Sequence, residues 1–86
     1  MDKNYIIDTV NSALGEEFEL DHELLTPEAD IREDLRMDSL DMVDMILALE
    51  RAFSFKLGDR SQVQHIRTLN DIYEFIEKLS KDGIIA

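Results

Sequence analysis

Asp38-Ser39-Leu40-Asp41-Met42-Val43-Asp44-Met45-Ile46-Leu47-Ala48-Leu49-Glu50-Arg51-Ala52-Phe53 is the stretch from which the fold is read. Leu40, Val43, Ile46, Leu47 and Phe53 recur at helical spacing, and Met42, Met45 and Leu49 form a second stripe beside them. One stripe is enough to pack a helix on a core. The surplus therefore points either to deep burial or to an apolar strip left for a partner. Met42 and Met45 are expected to fill core space, as flexible thioethers do. Asp38 or Ser39 is placed to cap the helix by accepting from one of its free N–H groups.

Upstream, Ile6, Ile7, Val10, Ala13 and Leu14 give a first amphipathic helix, with Asp2 or Asn4 as cap and Gly15 just past its end. From Glu16 to Met37 the periodicity fails, leaving Leu24, Leu25, Ile31 and Leu35 as isolated anchors and Thr26-Pro27 as a turn. Asp30 with Glu33 predicts one capped turn inside this long structured loop. Downstream, Asp59 is expected to cap a brief helix carrying Val63 and Ile66. Thr68 with Asp71 predicts a capping box for a last helix on Leu69, Ile72, Tyr73, Ile76 and Leu79. Lys78 and Lys81 suit its negative end, and Gly83 its stop. No strand-like alternation or repeat is present. The expected fold is all-α, a small bundle of about four helices, three longer and one short, with the long loop between the first and second. At 86 residues it is read as a single domain, 1–86.

Composition excludes several functions. With 20 acids against 9 bases the net charge is −11, which repels phosphate backbones and anionic lipid heads, so the expected partners are proteins rather than nucleic acid or membrane. The start lacks a basic segment followed by a long apolar one, and the longest apolar run, Met45 to Leu49, is too short to span a bilayer. The cytoplasm is the expected location. Without cysteine there is no disulfide, thiolate nucleophile or cysteine metal site. His22 and His65 lie in unrelated segments and no Gly-rich phosphate loop occurs, so no catalytic residues are assigned. A calcium loop starting at Asp30 fails because Arg32 takes its third place and Leu35 its glycine. No metal is expected.

Asp38-Ser39-Leu40-Asp41-Met42-Val43-Asp44, followed by Leu47-Ala48-Leu49-Glu50 and Phe53, resembles the core of an acyl carrier protein. Leu25-Thr26-Pro27 before it and Thr68-Leu69-Asn70-Asp71-Ile72 through Ile76 after it extend the likeness to about three-quarters of the chain. The resemblance implies that Ser39 is esterified by a 4′-phosphopantetheine arm whose thiol carries an acyl group as a thioester. It further implies that Asp38 assists a phosphopantetheinyl transferase, with acyl-transferring and chain-elongating enzymes of fatty-acid or related biosynthesis as later partners. A monomer is expected. The alternatives are a carrier for aminoacyl or polyketide intermediates and a cofactor-free acidic helical adaptor; loading by a transferase separates carrier from adaptor.

Charge is unevenly placed. Residues 16–50 hold 13 acids and 2 bases, which accounts for the whole net charge. Singly, Asp38, Asp41 and Asp44 complement the helix dipole. Together with Glu50, and with Leu40, Val43 and Leu47 as the apolar strip, they are read as a docking surface for basic patches. The chain also departs from the family. Arg36 stands where glycine is frequent, Gly58 where proline is, Arg51 where a further acid is usual, and Arg60, Gln62 and Gln64 dilute an acidic segment that carries one extra residue.

Overall fold

The computed structural model describes residues 1–57 and 60–85. Three α-helices run over Lys3–Phe18 (α1), Ser39–Phe53 (α2) and Leu69–Lys81 (α3), with short 3₁₀ turns at His22–Leu24 and Arg60–His65. Among the described residues there is no strand, only an isolated antiparallel bridge between Asp30 and Thr68. None of their helices is long and apolar enough to cross a membrane. The small all-helical bundle expected from periodicity is therefore present, and α1 is its hub, packing on both α2 and α3.

The apolar face of α1, built on Ile6, Val10 and Leu14, is fully buried. The helix does not end at Gly15. Phe18 lies one turn beyond Leu14 and packs on the core, and that contact outweighs the ~1 kcal/mol that glycine costs a helix interior. The chain leaves α1 at Glu19, whose φ of 53° lets the Leu20 N–H donate back to the Gly15 carbonyl over 3.2 Å. Asp2 occupies the cap position without a side-chain bond, and Asn4 lies inside the helix. One polar side chain of α1 is buried: the Asn11 Oδ1 accepts from the Tyr73 hydroxyl of α3 at 2.6 Å. Burial pushes the Tyr73 phenol above its ordinary pKa.

Because α1 runs on, the loop is shorter than expected. Leu25, Ile31 and Leu35 anchor it in the core, joined by Ala29 and Met37. Leu24 does not; it is 44% exposed, since the 3₁₀ turn ends on it and leaves the inward position to Leu25. The capped turn forms at Asp30, whose Oδ1 accepts from the N–H of Arg32 at 2.9 Å and of Glu33 at 2.8 Å. The Glu33 bond, with help from the Arg32 bond and the charges of Arg67 and Arg32, holds the Asp30 carboxyl below its ordinary pKa.

The loop is stitched to the entry of α3. Ile31 N–H donates to the Arg67 carbonyl at 2.8 Å, Leu69 N–H to Ala29 at 3.1 Å, and Asn70 N–H to Pro27 at 2.9 Å. The Thr68–Asp71 capping box forms with both reciprocal bonds at 3.2 Å. At the other end Gly83, with φ 80°, closes α3 as expected, its N–H and that of Ile84 donating to the Ser80 and Leu79 carbonyls. Val63 is half-buried and Ile66 buried beside the second 3₁₀ turn. The proposed cap at Asp59 lies outside the described residues.

Candidate functional site

A loop fixed at both ends determines where α2 begins. Leu35 and Met37 are buried, and their N–H groups donate to the Asp30 and Ile31 carbonyls, each at 3.1 Å. Between them Arg36 is exposed and adopts φ 57°. That left-handed conformation costs a residue with a Cβ roughly 1–2 kcal/mol. The sequence offered one signal for it, the frequency of glycine at this place in the resembling family.

Asp38 is the residue that caps α2. Its Oδ1 accepts from Asp41 N–H at 2.9 Å, and the Asp41 Oδ2 accepts in return from Asp38 N–H at 3.1 Å. The choice left open between Asp38 and Ser39 is thus decided by the acid three positions on, which completes a capping box with Asp38. Ser39 is the first residue of α2 and is exposed, its hydroxyl not taken up by the cap. The N–H groups of Ser39 and Leu40, in the first turn, have no carbonyl of their own helix to donate to. An anionic ester on Ser39 would therefore meet free donors and the positive end of the helix dipole.

Folding divides the first stripe of α2: Ile46 and Phe53 turn inward with the second stripe, while Leu40, Val43 and Leu47 stay outside. Met45, Ile46, Leu49 and Phe53 are buried and Met42 packs partly on the core. On the outside Leu40 is 76%, Val43 46% and Leu47 37% exposed, a row of large apolar side chains running from the Ser39 end of the helix. Asp44 is exposed beside that row, and Asp41 is half-buried by its capping bonds. Glu50 is different. Its Oε2 accepts from the Leu57 N–H at 2.7 Å, so the carboxylate ties down the segment that follows α2.

Arg51, one turn beyond Leu47, is bound to α1: its Nη2 lies 2.6 Å from Glu17 Oε1. This pair was not foreseen, because nothing in the spacing of Glu17 and Arg51 brings them together before α1 and α2 pack.

Residues 5–76 match the family described as phosphopantetheine attachment site. An acyl carrier protein of Syntrophobacter fumaroxidans is 40% identical over 85% of this chain and 84% of its own length. Those of Coprothermobacter proteolyticus and Thermosynechococcus vestitus are 35% and 34% identical over 90% and 88% of the chain, each over 93% of its own length. The chain belongs to the acyl carrier protein family. Its cofactor is accordingly a covalently attached 4′-phosphopantetheine, and the start of α2 fits such a group: an exposed hydroxyl spared by the cap, with unpaired N–H donors in the same turn.

Proposed function

We propose that this acyl carrier protein bears the 4′-phosphopantetheine arm on Ser39 and performs no catalysis of its own. The arm ends in a thiol that holds an acyl group as a thioester. What carries the reading is the division of labour at the α2 start, where Asp38 and Asp41 cap each other and Ser39 is left exposed. Neighbouring carboxylates raise the cost of forming an alkoxide on Ser39, so a separate phosphopantetheinyl transferase supplies the base. Asp38 combines its capping role with recognition by that transferase.

Leu40, Val43 and Leu47 form the apolar centre of a docking surface, and Asp41 and Asp44 its acidic rim, with Glu50 at the far end. Acyl-transferring and chain-elongating enzymes of fatty-acid or related biosynthesis, carrying basic patches, engage this face of a cytoplasmic monomer. Intact mass measurement after incubation with a broad-specificity transferase and coenzyme A tests the reading. Wild type is expected to gain one phosphopantetheine and Ser39→Ala none; modification of Ser39→Ala would move the site elsewhere.

A further inference from the structure

We infer that Arg36 is a positioning residue for the prosthetic group, its guanidinium pairing with the phosphodiester on Ser39. The inference rests on the attachment proposed above. Arg36 is exposed and makes no ion pair among the described residues. That is unexpected in a segment with 13 acids and 2 bases. Four nearby acids accept from backbone donors instead: Asp30 from Arg32 and Glu33, Asp34 from Asp30, and Asp38 and Asp41 from each other. Arg36 is also the only base between Arg32 and Arg51.

Two residues separate Arg36 from Ser39, a span of at most about 11 Å even when fully extended. A long side chain on one and a phosphoester on the other close that distance. An anion placed on Ser39 adds to the charges of Asp38, Asp41 and Asp44, so the attached form needs a local cation more than the bare form does. The guanidinium is suited to that role, since its fork of donors matches two phosphate oxygens. The anchored φ of 57° fits the same account. Glycine takes this conformation without strain, yet a charged residue stands there, held between the buried Leu35 and Met37.

The test compares thermal midpoints of bare and fully loaded protein, with loading verified by intact mass, for wild type, Arg36→Lys, Arg36→Gln and Arg36→Gly. Glutamine removes the charge and keeps the backbone strain; glycine removes both. At about 0.01 M salt, loading is expected to shift the midpoint of Arg36→Gln and Arg36→Gly downward by about 1–5 °C relative to its effect on wild type, with Arg36→Lys close to wild type. The gap should close near 1 M salt, where charges are screened within about 3 Å. The same loading shift in all four proteins, or a gap that persists at high salt, would overturn the role of Arg36. Wild type that gains no mass would overturn the attachment to Ser39 and this inference with it.

Discussion

Asp38 and Ser39 are adjacent, yet the structure gives them opposite sensitivities. Asp38→Ala removes the cap of α2 and orphans the N–H of Asp41, a loss of about 0.5–2 kcal/mol. Thermal melts should register this as roughly 4–8 °C per kcal/mol. Ser39→Ala changes an exposed side chain outside the cap and should stay within about 0.5 kcal/mol of wild type. A Ser39→Ala variant that melts as low as Asp38→Ala would contradict the assignment of the cap. Tyr73 supplies a second test at this scale. Its phenol is raised above 10.0 in the folded state, so the fold retains the proton more tightly than the unfolded chain does. The associated stability is complete below pH 10.0 and is lost as pH rises through the folded value. Alkaline denaturation of wild type should therefore be steeper than that of Tyr73→Phe. At neutral pH that variant should be about 1–3 kcal/mol less stable, because the Asn11 carbonyl loses its donor. The start of α2 was legible from the sequence. The Tyr73–Asn11 bond was not, since the two residues meet only when α1 and α3 pack.

Among the elements, α1 shows how packing overrides a local stop signal. Gly15 sits in the helix at ordinary φ, and an added Cβ would meet the Leu20 carbonyl and Leu25 Cδ1 at an ordinary 3.8 Å. Gly15→Ala should therefore stabilise the protein by roughly 0.5–1 kcal/mol, read as a higher denaturation midpoint at unchanged slope. A destabilised variant would show that the space is tighter than the distances indicate. The sequence pointed to Gly15 as the end because punctuation is local, whereas the contact that prolongs the helix, Phe18 on the core, is tertiary. In α2 the periodicity marked out both stripes, but folding divided the first, burying Ile46 and Phe53 and leaving Leu40, Val43 and Leu47 outside. The cleanest charge test of that outer face is Asp44→Lys, because Asp41 also holds the cap. Asp44→Lys should slow association with a phosphopantetheinyl transferase and flatten its salt dependence while preserving helix content. The paired change Glu74→Lys and Glu77→Lys on α3 is the control; if it slows association as much, bulk charge rather than a localised surface is responsible.

Over the whole molecule, the 13 acids of residues 16–50 crowd the end of α1, the loop and α2, against 2 bases in the same segment. Arg51 meets Glu17 from outside that segment, while Asp30, Asp34, Asp38 and Asp41 accept from backbone N–H groups. Self-repulsion should therefore lower the thermal midpoint at low ionic strength, and added salt should raise it. A midpoint that is flat or falls with salt would show that hydrogen bonds alone compensate the charge. Charge distribution, helix count and the candidate serine were readable from the chain because they depend on composition and short-range spacing. The stitching of the loop to α3 through Ile31, Leu69 and Asn70 depends on contacts between distant segments and needed the folded molecule. The central claim remains that one serine at the start of α2 carries the arm. Trypsin, cutting after Arg36 and Arg51, should release Met37 to Arg51, a peptide whose single serine is Ser39. After treatment with transferase and coenzyme A, tandem mass spectrometry is expected to find phosphopantetheine on that peptide alone; finding it on a peptide bearing Ser12, Ser54, Ser61 or Ser80, or on none, would contradict the account.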